Sequence, residues 1–519
     1  MSEAGEPRRG VVAEPAVRNL WSRSRVGAAF ETWVERRDWS VFLVVIALTA
    51  LAFALRVRGL GEGLWGDETA TLHETRGRDL FGAVREVAVG DDPGEFNPPF
   101  YFVLAWLGTK LGEPTMAIRL PSLVLGIATV PLGFLLGRRT VGDRPGLVAA
   151  AFMALSPFAT FYGIEARSYA TLMFLCTLSA LVLLMAVRTG RGQWWAAYGL
   201  SAAAVLYTHY TGIFVIAAEG AWALWWYRER WRGLGLAYAG AAAAYAPWLP
   251  YMHGDPANFE EVALLKGWNH WNAFLRWVAG NQELAPRDMP GIPALTLLGC
   301  GMVVGLVGWL LVAVGRRRTP GAARSMRHSR DGLLVLLLAL ATPVALLVYA
   351  WLSTDLFVLP RNLSASLPFA ALAIGLALTP PNRIAMAAAV ALAGVALTIG
   401  AIRMLDDKFH RPNIPAVARL LDERVGQGDL VVYYGGLLWP HVLRTNLPLY
   451  YQRSHLVSTA ATEDKFQRSF RGDRPRRVFL VEVQADGETP SPMVGGWAQV
   501  ERRVFSCNPP LVVSVYQRL

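Results

Sequence analysis

Lysine is nearly missing from this chain: in 519 residues it occurs only at Lys110, Lys266, Lys408 and Lys465, so arginine carries almost all of a formal net charge of +11. A basic chain invites a nucleic-acid reading, but the arginines sit mostly in short loops flanking apolar runs, where they act as topological anchors. Nucleic acid is therefore excluded as a partner. Cysteine is also scarce. Cys176 and Cys300 lie within apolar runs and Cys507 stands alone near the C-terminus, with neither metal-ligand spacing nor a disulfide framework, which argues against redox chemistry. Acids are rare inside the apolar runs, where Glu219 is the exception. Transporters place ionisable groups near mid-bilayer on broken helices, so this scarcity counts against a transporter or flippase. No internal repeat or low-complexity tract is evident.

What the chain has in quantity is apolar sequence. It is 54% hydrophobic with 19 tryptophans, the composition of a multi-span membrane protein. Eleven runs come close to the roughly 20 apolar residues a spanning helix needs: 40–56, 119–137, 146–161, 169–187, 194–207, 213–227, 234–251, 292–315, 332–352, 363–379 and 384–402. Those at 194–207 and 213–227 are short. Residues 1–39 carry Arg8, Arg9, Arg18, Arg23, Arg25, Arg36 and Arg37 and have no cleavage-site pattern. The positive-inside rule makes this tail cytoplasmic and the run at 40–56 a retained span.

A further run at 98–111 opens with Pro98-Pro99, contains Lys110 and is too short to assign by length. Charge parity assigns it to the interface or a re-entrant segment. Then Arg138-Arg139, Arg188, Arg228 to Arg232, Arg316 to Arg330 and Arg383 all fall on the cytoplasmic side. The outward segments become 57–118, 162–168, 208–212, 252–291, 353–362 and everything after 403. The expected fold is mainly α: about eleven transmembrane helices over 40–403 and a small extracytoplasmic α/β domain over 404–519. That domain begins with a helix from Asn413-Ile414-Pro415 to near Gly426. Strand-like runs follow at 429–435, 478–483, 498–505 and 511–517.

Four outward constellations carry chemistry. Asp67 and Glu68, in Gly63-Leu64-Trp65-Gly66-Asp67-Glu68, put two carboxylates at the mouth of the bundle. Acids in such a loop can simply solvate it, yet aromatic neighbours and the second acid pair Asp91-Asp92 make a desolvated carboxylate of raised pKa, able to take a proton from an alcohol. Glu165 and Arg167, in Tyr162-Gly163-Ile164-Glu165-Ala166-Arg167-Ser168-Tyr169, read either as an ion pair closing a helix turn or as groups meeting a sugar hydroxyl or cation and an anion. His209 and Tyr210, in Tyr207-Thr208-His209-Tyr210, read as packed interface residues or as ligand contacts. Arg361, in Pro360-Arg361-Asn362, is a lone cation where positive charge is otherwise scarce. It either snorkels to headgroups or holds a phosphate bidentately.

Taken in order, Trp65-Gly66-Asp67-Glu68, Asn97-Pro98-Pro99-Phe100-Tyr101, Arg119-Leu120-Pro121-Ser122, Leu155-Ser156-Pro157 through Tyr169, Thr208-His209-Tyr210 and Pro360-Arg361-Asn362 resemble the GT-C superfamily of membrane glycosyltransferases. The likeness is to the bacterial branch related to protein O-mannosyltransferases and the aminoarabinose transferase of lipid A. The family commonly has His before the Pro-Pro pair and Tyr after the late Arg, where this chain has Asn97 and Asn362. The resemblance implies an inverting enzyme in the inner membrane that moves a sugar from a polyprenyl-phosphate carrier to an acceptor hydroxyl on a protein, lipid or glycan. It implies Asp67 as base with Glu68 beside it, Arg361 and Arg167 on the donor phosphate, and Glu165, His209, Tyr210, Asp92, Asn97 and Tyr101 around sugar or acceptor. No cofactor is certain and a divalent metal is possible. No Gly-rich phosphate loop is present to hold a nucleotide sugar. The competing readings are a lipid-linked sugar flippase or transporter and a membrane sensor whose outer domain binds a ligand, which leaves the loop acids without a task.

Overall fold

The computed structural model describes residues 39–64, 66–89, 97–252, 277, 290–316, 325–352, 360–434, 439–452, 457–459, 475–484, 496–507 and 509–519. All eleven apolar runs are helical. In chain order the helices are α1 (Trp39–Val57), then α2 (Gly66–Thr75), α3 (Leu80–Val89) and α4 (Phe100–Gly108) at one end of the bundle. They continue as α5 (Leu120–Thr140), α6 (Asp143–Leu155), α7 (Pro157–Tyr162), α8 (Tyr169–Thr189), α9 (Gly192–Leu206), α10 (Gly212–Trp226) and α11 (Trp231–Tyr245). The last of the bundle are α12 (Ile292–Arg316), α13 (Ser325–Leu352), α14 (Leu367–Leu378) and α15 (Arg383–Arg403). Among the described residues, 7 helical stretches are long and apolar enough to cross a membrane. Four more runs fold as shorter apolar helices, α6 with 13 residues and α9, α10 and α11 with 15 each. The protein is a multi-pass membrane protein.

The run at 98–111 forms only the 9-residue α4, roughly 14 Å long at 1.5 Å per residue and too short to cross a bilayer. Small residues let the long helices approach closely, as they do in membrane bundles generally. A Cβ added at Gly137 would come within 2.7 Å of the Gly146 Cα, and one at Gly375 within 2.4 Å of the Pro145 carbonyl, which seats α5 and α14 against α6.

The run at 146–161 is broken by Ser156-Pro157. Proline removes a backbone donor and frees carbonyls in the preceding turn, while the Ser156 hydroxyl accepts from the Ala159 N–H at 3.4 Å to start α7. The freed carbonyls are met by Arg56, fully buried at the end of α1. It donates to Met153 at 2.7 Å and Ala154 at 3.3 Å, and also to the Ala159 carbonyl within α7 at 3.0 Å. A buried guanidinium whose hydrogen bonds go to carbonyls is a structural fastener, and it ties α1 to the segment leading into 162–168.

After α15 the chain forms α16 (Ile414–Arg424), β1 (Leu430–Tyr434), α17 (Trp439–Asn446), β2 (Val457–Thr459), β3 (Arg477–Val483), β4 (Trp497–Phe505) and β5 (Leu511–Arg518). The sheet order is β2-β1-β3-β5-β4. β1 runs parallel to β2 and β3, whereas β5 is antiparallel to β3 and β4. Asn413 caps α16 as expected, its side chain accepting from the Ala416 N–H at 3.2 Å. Both faces of β1 are covered, one by Val431 and Tyr433 in a cluster with α16 and α17, the other by Val432 beside Val478 and Leu480.

Candidate active site

Asp67 and Glu68 do not lie in an irregular loop. They open α2, where carboxylates are favoured by the helix dipole. Adjacent residues point to different sides of a helix, and the two acids accordingly have different fates.

Glu68 is fully buried and both of its oxygens are occupied. Oε1 accepts from Arg119 Nε at 2.8 Å and from the Ala166 N–H at 2.9 Å, and Oε2 accepts from Arg119 Nη2 at 2.5 Å. Arg411 Nε stands 3.6 Å from Oε2. Burial alone would raise its pKa, but Arg119 and Arg411 outweigh that and hold the carboxyl at about 2. Arg119, also fully buried, donates as well to the carbonyls of Gly59, Leu60, Glu62 and Gly63 at 2.7 to 3.2 Å. The chain between α1 and α2 is thus wrapped around one guanidinium.

Asp67 faces the other way. Its Oδ2 accepts from Arg361 Nη1 at 2.7 Å, and the two side chains keep 36% and 24% of their area exposed, so a ligand can reach both. Arg361 sits on the 3₁₀ turn Pro360–Ser366 that leads into α14. Its carbonyl accepts from the Ser364 hydroxyl at 2.6 Å, which steadies the turn. Arg167 is buried beside them, its Nη1 at 3.5 Å from both the Asp67 carbonyl and the Thr71 hydroxyl. Burial pulls the Asp67 carboxyl upward, but Arg361 and then Arg167 bring it below the ordinary range. This corrects the raised value expected from its aromatic surroundings, because in a site with two guanidiniums nearby charge outweighs desolvation.

The carboxyl with the raised pKa is Glu165. It is buried, and desolvation lifts it to about 8, with Glu68 and Asp67 adding to the rise and Arg411 and Arg361 opposing it. Its Oε2 is buried with no hydrogen-bond partner among the described residues. The loop that carries it is fixed from behind: the Ser122 hydroxyl donates to the Glu165 carbonyl at 2.6 Å and lies 3.0 Å from the Tyr101 hydroxyl, which donates to the Ile118 carbonyl at 2.9 Å.

The remaining candidates fall into four groups. His209 is buried next to Tyr169, with ring centroids 5.9 Å apart. Its Nδ1 accepts from the Thr211 N–H at 3.2 Å, and burial together with Arg167 and Arg361 holds it neutral, with a pKa of about 3. Tyr101 is buried as a support of the Glu165 loop, away from any exposed surface. Asn97 and Tyr210 are half-buried, the Tyr210 hydroxyl accepting from Trp248 Nε1 at 3.5 Å. Asp92 and Trp65 lie outside the described residues.

Among the described residues no group of three or more His, Cys, Asp or Glu is arranged to hold a metal ion. With the Asp67 carboxylate on Arg361, these residues as placed do not compose a divalent-metal site. A cavity of about 150 Å³ opens between the ends of α1 and α15, lined by Leu55, Phe161, Met404, Phe409 and His410, with Glu62 and Arg411 between it and Glu68. It does not include Asp67 or Arg361.

Arg119, Arg411 and Arg56 were not singled out individually from sequence. Arg119 had a usable signal, since it begins an apolar run at the end where cations are scarce, the same argument that picked out Arg361. Arg411 had none, because its partners Glu62 and Glu68 are more than 340 positions away.

The model of the dolichyl-phosphate-mannose-protein mannosyltransferase family matches residues 96–252. By sequence, no curated protein matches the chain. Among the solved structures that share its architecture are the following two. ArnT from Cupriavidus metallidurans in the apo state is 14% identical, with 94% of this chain and 98% of that chain covered and a TM-score of 0.50. The archaeal oligosaccharyltransferase AglB from Archaeoglobus fulgidus, in complex with an inhibitory peptide and a dolichol-phosphate, is 11% identical, with 86% and 69% covered and a TM-score of 0.50.

Proposed function

Because the chain has the GT-C fold of polytopic membrane glycosyltransferases, we propose that it transfers a sugar from a polyprenyl-phosphate carrier to an acceptor hydroxyl, with inversion, at the end of the bundle that bears α2 to α4 and the C-terminal sheet. Under the positive-inside reading of the arginine loops that end faces outward from the inner membrane. The observation that carries the proposal is the accessible Asp67–Arg361 pair at 2.7 Å, which joins an acid after the first helix to a cation 294 positions later.

Arg361, backed by Arg167, receives the donor phosphate. That phosphate competes with Asp67 for the same guanidinium, so donor binding removes the charge that holds the Asp67 carboxyl low and leaves a stronger base beside the sugar. The acceptor hydroxyl gives its proton to Asp67 and its oxygen bonds to the anomeric carbon from the face opposite the phosphate. The bond from that carbon to the phosphate oxygen breaks, and the charge growing on the leaving phosphate is met by Arg361 and Arg167. Glu165, neutral below about pH 8, turns its unpartnered oxygen to the sugar once donor entry uncovers it, with His209, Tyr210 and Asn97 as further sugar or acceptor contacts. Glu68 acts on Asp67 by placing α2. A carrier with a long hydrocarbon tail accounts for an enzyme embedded in lipid. Tail and reacting headgroup then partition between the helices and the end loops.

The test is transfer by purified Asp67→Asn protein supplied with polyprenyl-phosphate sugars and hydroxyl acceptors. Turnover is expected to vanish while expression and thermal unfolding stay as in wild type. Near-normal turnover would remove Asp67 from the chemistry.

A further inference from the structure

We infer that the C-terminal domain positions the catalytic acid, through Asn446 and Tyr450. This rests on the reading of Asp67 as the base. Asn446 ends α17 and is fully buried. Its side-chain amide donates to the Leu64 carbonyl at 3.2 Å, and its side-chain oxygen accepts from the Thr69 hydroxyl. The Tyr450 hydroxyl, one turn later, accepts from the Leu64 N–H at 2.9 Å. A backbone carbonyl only accepts, so the Asn446 amide has one orientation that satisfies Leu64, and its oxygen is then left facing Thr69. Both polar groups of the Leu64 residue and the hydroxyl of Thr69 are therefore held by a domain some 380 positions away. Asp67 lies between them.

The same domain grips the other side of this segment. Leu449 packs on the cluster of Leu64, Leu72, Tyr101, Ala105, Ile118 and Ala166. Arg411, at the start of the domain, reaches Glu62 at 3.4 Å and Glu68 at 3.6 Å, donates to the Phe161 carbonyl at 3.1 Å and lies over the Phe161 ring at 4.0 Å. Arg119 on the bundle and Asn446 with Tyr450 on the sheet domain are the two anchors that set where the first turn of α2 stands relative to Arg361. A shift of about 1 Å in a reacting group costs on the order of 100-fold in rate. Loss of the second anchor therefore appears in turnover before it appears in donor binding. Asn446 and Tyr450 are positioning residues, since neither reaches Asp67 itself.

The experiment measures kcat and donor KM in the full-length protein for Asn446→Ala, Thr69→Val, their double variant, Thr69→Ser and Tyr450→Phe, with thermal unfolding alongside. Tyr450→Phe keeps the ring and loses only the hydroxyl, which separates positioning from folding if Asn446→Ala is unstable. Expected are a fall in kcat of about tenfold or more with donor KM within about twofold, a double variant no worse than Asn446→Ala alone because Thr69 contributes only the bond it shares with Asn446, and recovery in Thr69→Ser, which keeps the hydroxyl. Wild-type kcat in Tyr450→Phe and Thr69→Val, or a loss confined to KM, would overturn the inference. Inactive Asp67→Asn protein together with unaffected clamp variants sinks this inference alone. Active Asp67→Asn protein sinks the reading beneath it.

Discussion

Replacing Glu68 by glutamine separates bracing from chemistry. In the native protein the fully buried Arg119 has one charged partner and four backbone carbonyls, and Glu68 also accepts from the Ala166 N–H. Glutamine keeps the shape and one acceptor oxygen but turns an amide NH₂ toward a guanidinium. Removing one member of a buried ion pair leaves an uncompensated charge and costs ~3–5 kcal/mol. Arg411 loses a partner as well, keeping Glu62 at 3.4 Å. The expected result is a marked drop in the unfolding midpoint in detergent, read from tryptophan fluorescence during heating. Arg119→Ala should give a comparable drop, and the double variant much less than the sum, because the two residues share one interaction. An unfolding midpoint equal to wild type in Glu68→Gln, with activity lost, would refute the bracing argument and put Glu68 in the reaction.

Arg361→Ala should raise donor KM roughly 10-fold to 100-fold, the loss of a charge-assisted contact worth ~1.5–3 kcal/mol, and Arg361→Lys should fall between, having the charge without the fork; equal KM in all three would assign Arg361 to headgroup anchoring. The same alanine variant removes the largest charge holding the Asp67 carboxyl low. Since the ionised base is present above its pKa and lost as pH falls through it, the acid limb of kcat/KM should move to higher pH. Glu165, pushed up to about 8, is protonated below that pH and loses its proton above it. Wild-type turnover should therefore decline above about pH 8, and in Glu165→Gln, which stays neutral, that alkaline limb should flatten. Superimposable profiles would remove Glu165 from the sugar site.

The helical framework was legible because spanning segments announce themselves by length and apolar content, and each of the eleven runs became helix within a few residues. The C-terminal α/β pattern was legible too, through Asn413 ahead of Pro415 and through the dense β-branched runs that became β1, β3 and β5. The 3-residue β2 and the polar α17 escaped, being too short to show a period. In the candidate site, Asp67 was picked out as one of two adjacent carboxylates at the mouth of the bundle and Arg361 as a lone cation where positive charge is scarce, and the fold sets the two side by side. The division of labour between Asp67 and Glu68 was not legible, because it depends on which side of α2 each faces and on Arg119 and Arg411 arriving from elsewhere. The titration of Asp67 was expected in the wrong direction for the same reason: sequence shows the aromatic neighbours at 65 and 100–101 but not a guanidinium brought in from position 361.

Helices α9 and α10 have 15 residues each, about 23 Å at 1.5 Å per residue, against a hydrocarbon layer of about 30 Å. Spans shorter than the layer are accommodated by local thinning of the bilayer, at a cost of fractions of a kcal/mol for each ångström of shortfall. Thinning there would bring the headgroup level closer to His209 and Tyr210, in the loop between the two helices. Under the proposed reaction, a carrier lipid drifting laterally into such a depression would reach the Asp67–Arg361 end of the bundle without being lifted out of its leaflet. On that reading, turnover is expected to change with the thickness of the bilayer in which the protein is reconstituted.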